Sequence, residues 1–194
     1  MAAADSVRAF VAIDPAEALR RELQAMQDRL RSACGAAGWK VGFPAIDAIH
    51  LTLKFLGDVP SARLSEIVEA LSPLGRTDRL QIALGGLGAF PERGRPKILW
   101  VGLSAGQGAV KSLAEQVDRY LAPLGFPPEG RQFSPHFTVG RVKRATAGVT
   151  TVLKSVSPAG GGPSPIEEVV LYRSDLHPSG ARYTVLGRIG LGAG

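Results

Sequence analysis

Two of the three histidines begin the same four-residue frame, and this repeat constrains the fold more than any other feature of the sequence. The frame is His-Leu-Thr-Leu at 50–53 and His-Phe-Thr-Val at 136–139. If each frame opens a β-strand, its period of two places His and Thr on one face and the two apolar side chains on the other. One such frame alone is usually a half-buried histidine beside a hydroxyl neighbour. Two copies in matching context indicate an internal duplication whose strands face each other across a cleft.

The order of elements predicts an α+β chain with mostly antiparallel sheets. Apolar runs and alternation predict strands at 7–13, 50–56, 79–84, 97–103, 136–142, 166–173 and 182–189. Apolar residues at helical spacing predict helices at about 15–35, 60–71 and 107–121, and a short helix at about 149–156. Because the helices come singly between strands that need not be parallel, a doubly wound sheet is not expected.

Local signals set several boundaries. Asp14 before Pro15, with Glu17 placed to close a capping box, predicts the start of the first helix. The Gly-, Pro- and Arg-rich stretch at 85–96 is expected to be a loop, and 157–165 a linker. We expect one domain over 1–194, because 194 residues suit one domain or two small lobes with a shared core. Its last residues, 190–194, are expected to be frayed.

The charge and cysteine content exclude several classes of protein. Lys and Arg number 23 against 17 acidic residues, and the resulting net charge of +6 weakly favours polyanionic partners such as RNA. Cys34 is the single cysteine, which rules out an internal disulfide framework and a Cys-rich zinc site. No run approaches the ~20 apolar residues of a membrane helix, and the first six residues do not resemble a secretory signal. We therefore expect a cytoplasmic protein.

The paired frames predict acid–base chemistry. Two imidazoles facing each other, with unperturbed pKa values of about 6.5, allow one to be neutral and the other charged near neutral pH. Thr52 and Thr138 add donors for an anionic oxygen, and the excess of Arg adds positive charge. This set suits attack on a phosphodiester, in which one imidazole accepts a proton from the attacking group and the other donates one to the leaving oxygen, with no metal required.

Other residues that could carry chemistry are better interpreted as structural. Cys34, near a helix end, is expected to be a small buried apolar residue. Glu167 and Glu168 are adjacent on a predicted strand and so point to opposite faces. His177 is interpreted as a solvated turn residue. The sequence contains no Gly-x-Ser-x-Gly elbow and no Walker-type phosphate loop.

Beyond the two frames, longer segments of the sequence resemble one known family. They are RAFVAID at 8–14, HLTLKFLGDV at 50–59, PKILWVGL at 96–103, HFTVGRVK at 136–143 and RSDLHPSGARYTVL at 173–186. Together they resemble the 2H phosphoesterases, and within them the RNA 2′,3′-cyclic phosphodiesterases once named 2′-5′ RNA ligases. The resemblance implies a bilobal, pseudo-twofold α+β fold, with two antiparallel sheets lining a central cleft and helices on the outside.

The resemblance also implies roles for individual residues. His50 would donate a proton to the leaving oxygen, and His136 would be the base that activates water. Thr52 and Thr138 would hold phosphate oxygens. Arg141 would contact the phosphate, although simple alternation puts it on the face opposite His136 unless a bulge at Gly140 turns it inward.

Phe10 would flank a nucleobase pocket, with plain core packing as an equally good interpretation. The implied reaction opens a terminal 2′,3′-cyclic phosphate on RNA, tRNA fragments being one possible source, and leaves a 2′-phosphomonoester. The resemblance implies no cofactor, no membrane partner and a monomeric enzyme.

Two alternative functions stay open at this stage. The site could act on another phosphodiester, such as a 2′-5′ linkage, a cyclic nucleotide or a cyclic phosphate on a small sugar. The chain could also be a non-catalytic RNA-binding module.

Overall fold

The structure is a computed structural model that describes residues 5–92, 94–130, 132–146, 148–156, 161–177 and 180–192. It contains nine strands and four α-helices within those residues. The strands are β1 (Ser6–Ile13), β2 (Lys40–Gly42), β3 (Leu51–Pro60), β4 (Leu80–Phe90), β5 (Ile98–Ala105), β6 (Phe137–Arg144), β7 (Ser164–Ile166), β8 (Glu168–His177) and β9 (Gly180–Gly190). The helices are α1 (Glu17–Ala36), α2 (Leu64–Leu71), α3 (Gln107–Leu121) and α4 (Val149–Lys154).

The strands form two sheets, and the α+β fold class predicted from the sequence is confirmed. The first sheet has four strands in the order β3-β1-β8-β9, and the second has five in the order β2-β6-β5-β4-β7. Every strand pair in both sheets is antiparallel. One motif strand lies in each sheet: β3 follows His50 in the first, and β6 follows His136 in the second.

One hydrophobic core holds the sheets and helices together. Alternate residues of β1 enter it, namely Ala9, Val11 and Ile13. Helix α1 contributes a stripe at helical spacing that includes Leu19 and Leu23, and the same cluster contains residues of both sheets. Removal of this apolar surface from water is the main stabilising contribution.

Several sequence-based boundaries need correction. Helix α1 begins at Glu17 after Ala16, with no side-chain cap, so the predicted Asp14 capping box is wrong. Asp14 instead accepts a hydrogen bond from the Tyr172 hydroxyl at 2.6 Å. The first half of the predicted loop at 85–96 is strand, because β4 continues to Phe90 and pairs with β5.

The glycines in that segment suit the strand. A Cβ on Gly88 would come within 2.0 Å of the indole of Trp100, so only glycine allows the ring to lie across β4. The short strands β2 and β7 were not predicted, and β7 begins in the predicted linker at 157–165, of which 157–160 is outside the described residues.

The end of the chain is also better ordered than predicted. Leu191 is buried, and its backbone N–H donates to the Glu167 carbonyl at 2.6 Å. The Gly192 N–H donates to the Thr77 carbonyl at 2.7 Å. The expected fraying is therefore wrong for 190–192, and 193–194 lie outside the described residues. In the part of the chain that the structure describes, no helix is long and apolar enough to cross a membrane.

Candidate active site

Both motif histidines are oriented by the same kind of hydrogen bond to a backbone carbonyl. The Nδ1–H of His50 donates to the Ala48 carbonyl at 3.1 Å, and the Nδ1–H of His136 donates to the Ser134 carbonyl at 2.7 Å. Each acceptor is two residues before its histidine, just ahead of the motif strand. Because a carbonyl can only accept, each contact assigns the proton to Nδ1 and leaves Nε2 as the ring atom that can accept or donate elsewhere.

Aromatic rings surround His50. Phe10 stacks on the imidazole with ring centroids 4.7 Å apart, and Tyr183 meets it edge-on at 5.0 Å. Burial lowers the pKa of His50 from 6.5 to about 4. The Ala48 carbonyl and the Asp14 carboxylate oppose that shift, and the Arg141 guanidinium adds to it. His50 is therefore neutral at neutral pH in the free protein.

His136 also lies beside aromatic rings, but it has fewer of them than His50, and they belong to the second sheet. Phe90 lies edge-on to its imidazole at 5.2 Å, and Trp100 is 6.0 Å away between ring centroids. Phe90 and Trp100 also contact each other at 5.2 Å. Each histidine thus projects beside aromatic side chains of its own sheet, which is what a duplicated site requires.

The two threonines lie where the alternation predicts. Thr52 pairs with Ala12 of β1, and Thr138 pairs with Trp100 of β5. Each is two residues beyond its motif histidine and is half-buried. Their hydroxyls therefore lie on the faces that carry the imidazoles.

A β-bulge turns Arg141 toward the same face as Thr138. Thr138 pairs with Trp100 and Gly140 with Leu99, so Val139 is the extra residue of β6. The bulge shifts the phase of alternation by one, and Arg141 pairs with Ile98 on the Thr138 side. Its guanidinium acts on two rings of the other sheet: burial lowers the pKa of His50 and Arg141 adds to that shift, whereas burial raises the pKa of Tyr183 and Arg141 opposes it. The structure thus brings Arg141 close to the cluster that His50 forms with Phe10, Tyr172 and Tyr183, called the His50 cluster below.

Phe10 lies at the site but is covered. Its side chain is 3% exposed and stacks on both His50 and Tyr172, with the Tyr172 centroid 5.3 Å away. It belongs to the face opposite Ala9 and Val11, so it is not part of the main core. The packing supports the imidazole and leaves little of the Phe10 ring for a ligand.

The positions of two residues of the motif strand β3, Lys54 and Phe55, could not be read from the sequence. A β-bulge explains both positions. Thr52 pairs with Ala12 and Lys54 with Val11, so Leu53 is the extra residue. The phase shift sends Lys54 into the core and Phe55 to the opposite face. Strict alternation along the motif predicts the reverse, and no residue in the segment marks the bulge.

Lys54 is buried, and its ammonium has two partners. Its side chain is 2% exposed, and its ammonium forms a salt bridge with the Asp118 carboxylate of α3. It also donates to the Pro127 carbonyl at 2.7 Å. A buried ammonium needs such partners because its desolvation is costly. The contacts tie the first motif strand to α3 and to the segment that follows it.

Tyr172 connects the His50 cluster to Asp14. Burial and the hydrogen bond to the Asp14 carboxylate raise the pKa of Tyr172 above its ordinary value. A 730 Å³ groove begins at Asp14 and is lined by charged side chains. Several of these are already in ion pairs, such as Arg79 with Glu167 at 3.2 Å, and neither motif histidine lines the groove.

The remaining candidates lie away from the site. Cys34 is buried in the core, and burial raises the pKa of its thiol, as expected for a structural cysteine. His177 ends β8 and is exposed. Across the described ranges, no group of three or more His, Cys, Asp or Glu side chains is arranged to hold a metal ion.

Comparison with known proteins defines the class. A family model described as LigT-like phosphoesterase matches the chain twice, over residues 13–100 and 101–183. The protein therefore belongs to the LigT-like phosphoesterase family and is an enzyme of that class. Each match contains one of the two His-x-Thr motifs, in agreement with the internal duplication inferred from the sequence.

Individual proteins of similar sequence share one name. A protein of Methanothermobacter thermautotrophicus named RNA 2′,3′-cyclic phosphodiesterase is 34% identical over 181 residues, which is 92% of this chain and 95% of that protein. One of Aeropyrum pernix with the same name is 33% identical over 160 residues, 81% of this chain and 90% of that protein.

Solved structures agree with this assignment. A crystal structure of a protein from Thermus thermophilus superposes with a TM-score of 0.80 at 28% identity, covering 95% of this chain and 98% of that one. Escherichia coli LigT in its apo form superposes with a TM-score of 0.75 at 27% identity, covering 96% of this chain and 98% of that one. The resemblance to the 2H phosphoesterases predicted from the motifs is confirmed.

Proposed function

We propose that this phosphoesterase hydrolyses the terminal 2′,3′-cyclic phosphate of RNA to a 2′-phosphomonoester. The observation that carries the proposal is the matched pair of imidazoles, His50 and His136, each with Nδ1 tied to the carbonyl two residues before it. The names of the relatives support RNA as the substrate. Because both motifs are in one chain, a monomer can supply the whole site, and we propose that it acts as one.

In the proposed mechanism, His136 and His50 act in turn on the two sides of the phosphorus. The neutral Nε2 of His136 accepts a proton from water as the water oxygen forms its bond to phosphorus. The bond from phosphorus to the 3′ oxygen breaks, and the protonated Nε2 of His50 donates its proton to that oxygen. The product carries a 2′-phosphate and a free 3′-hydroxyl, and the two imidazoles have exchanged protonation states.

Three further side chains would stabilise the charge that develops on the phosphate. The hydroxyls of Thr52 and Thr138 would donate to the non-bridging oxygens, and the Arg141 guanidinium would supply positive charge. Preorganised donors of this kind typically contribute about 10²–10³ in rate each. Every proton transfer in this scheme is made by an imidazole, so the proposal needs neither a metal ion nor a cofactor.

The low pKa of His50 bears on its role as the acid. With a pKa of about 4, the free protein holds His50 neutral at pH 7. A phosphodiester bound beside the ring adds a negative charge, and a nearby opposite charge favours the imidazolium form. We therefore propose that substrate binding itself protonates His50. The proton donor is then formed only when the phosphate is in place.

The test is an assay on a short RNA that ends in a 2′,3′-cyclic phosphate, in the presence of EDTA, with the product isomer identified by ³¹P NMR. A 2′-phosphate is the expected product. A 3′-phosphate would mean that the leaving oxygen is the other one. RNA binding without turnover would refute the enzymatic proposal and favour a binding module. Parallel assays on a 2′-5′ dinucleotide and on 3′,5′-cyclic AMP distinguish the alternative substrates.

A further inference from the structure

Two large hydrophobic side chains are exposed within the described residues, and both lie in one cross-strand row. Phe55 is 61% exposed and Val185 is 40% exposed. Phe55 pairs with Phe10, Phe10 with Tyr172, and Tyr172 with Val185. The row crosses all four strands of the first sheet. It lies on the face that carries the His50 cluster.

The exposure of Phe55 results from bulges in β3 on either side of it. Leu53 is the extra residue before Phe55, and Leu56 is the extra residue after it, because Phe10 pairs with Phe55 and Ala9 pairs with Gly57. Without the first bulge Phe55 would point into the core. This backbone arrangement forgoes the stabilisation that burial of the Phe55 side chain would give.

Phe55 is also the aromatic residue of the row whose ring is largely exposed to solvent. Phe10 is 3% exposed and packs against both His50 and Tyr172. The Phe55 ring centroid is 6.1 Å from that of Phe10, which in turn is 4.7 Å from that of His50. Phe55 is therefore within about 11 Å of the His50 imidazole. That is close enough for the nucleotide next to the reacting one.

We propose that Phe55 is the stacking platform for the base of the nucleotide that precedes the terminal cyclic phosphate. The preferred substrate class is then a single-stranded RNA end of two or more nucleotides, rather than a cyclic mononucleotide. This inference rests on the proposed function and adds the direction in which the RNA leaves the site, over the β3 edge. Every base has a π-face, so such stacking tolerates sequence variation.

The cation on this face near Phe55 lies opposite a carboxylate, so only the net charge of the whole chain favours a polyanionic ligand. Arg8 is exposed and lies two residues before Phe10 on the same face of β1, with Asp58 opposite it on β3. The whole chain carries a net charge of +6. Val185, at the other end of the row, has no π-face and therefore provides a matched control.

The test compares binding of a trinucleotide and a mononucleotide, each ending in a 2′-phosphate, to the wild-type protein and to four variants. Stacking on an aromatic side chain is worth about 1–3 kcal/mol per base, so Phe55→Ala should weaken trinucleotide binding about 5- to 150-fold. It should leave mononucleotide binding within about twofold. Phe55→Trp should keep the trinucleotide affinity, and Phe55→Leu should lose it, because leucine has apolar area without a π-face. Val185→Ala should change neither affinity.

Several results would overturn the inference. Equal weakening of both ligands by Phe55→Ala would mean that Phe55 acts only by supporting Phe10 and His50. Unchanged trinucleotide binding in Phe55→Ala, or full trinucleotide affinity in Phe55→Leu, would exclude stacking of a base on Phe55. A loss of trinucleotide affinity in Val185→Ala would mean that the RNA leaves the site in the opposite direction, toward β9. Turnover of the cyclic-phosphate forms is measured alongside. A wild-type protein that binds the trinucleotide through Phe55 but hydrolyses nothing refutes the proposed function and keeps this inference.

Discussion

Thr138 and Arg141 lie on the same face of β6 although they are three residues apart. The extra residue at Val139 makes this possible, and the Gln27 side chain donates to the Val139 carbonyl at 3.2 Å. A Cβ on Gly140 would be 3.0 Å from Val41, so glycine also lets β2 pack close to the bulge. Buried support of this kind holds the guanidinium on the imidazole side of the strand.

Replacing Arg141 should affect both turnover and the titration of His50. In Arg141→Gln we expect turnover to fall about 10²-fold, as for loss of one preorganised charge donor. We also expect the pKa of His50 to rise from about 4, because the Arg141 charge disfavours the imidazolium. Measurement of kcat/KM and of the His50 ring protons by NMR checks both. Arg144→Gln, an exposed arginine on the same strand, should change neither; an unchanged His50 titration in Arg141→Gln would contradict the predicted coupling.

The two motif histidines should behave as one catalytic unit. His50→Ala and His136→Ala are each expected to lower turnover of the cyclic phosphate by about 10²–10⁴-fold. The double variant should lose little more, because a second loss costs little once the acid–base pair is broken. His177→Ala, the third histidine, serves as the control and should keep full activity. Multiplicative losses in the double variant would show that the two residues act independently.

The stability of the protein should depend on pH through His50. Its folded pKa of about 4 lies below its unfolded value of 6.5, so the unfolded chain binds more protons between these pH values. The stabilising contribution is complete above pH 6.5 and is lost as the pH falls through about 4. The loss should be about 2 kcal/mol after allowance for the partial exposure of the ring. Urea unfolding of the wild type and of His50→Gln over this range checks it, and equal pH slopes for the two would exclude His50 as the source.

The buried salt bridge should respond unequally to loss of its two partners. Asp118→Asn removes the charge partner of a lysine whose side chain is 2% exposed, whereas Lys54→Met removes that of an aspartate whose side chain is 27% exposed. We expect Asp118→Asn to cost about 3–5 kcal/mol of unfolding free energy and Lys54→Met clearly less. Denaturant unfolding of both single variants and of the double variant measures the coupling. Strictly additive losses would indicate that the salt bridge contributes nothing as a pair.

The fold class could be predicted from the order of elements, and the family from the two His-x-Thr motifs and the segments around them, because this information is local. Period-two alternation placed Thr52 and Thr138 beside their histidines, and helical spacing predicted α3 with the bounds that the structure shows. Cys34 was also correctly expected to be buried. These features depend on neighbours within a few residues, which one sequence contains in full.

Register was where sequence reasoning failed. Extending strict alternation along β3 would put Lys54 on the imidazole face and Phe55 in the core, the reverse of what the structure shows, because a bulge adds one unpaired residue and leaves no mark in the sequence. Sequence reasoning assigned Asp14 to a helix cap, whereas the Asp14 carboxylate pairs with Tyr172, a residue 158 positions away. It could not show that Phe10 is covered, because the rings that cover it belong to distant segments.

The sequence by itself thus determined the alternating elements, the duplicated motif and the residue types for acid–base chemistry on a phosphodiester. Only the tertiary structure decided which side chains share a face with the imidazoles. It turned Arg141 toward them, exposed Phe55, buried Lys54 and enclosed His50 among rings that lower its pKa to about 4. The reason is physical: strand phase, burial and electrostatic environment arise from pairing and packing between segments far apart in the chain, and alternation within a segment cannot encode them.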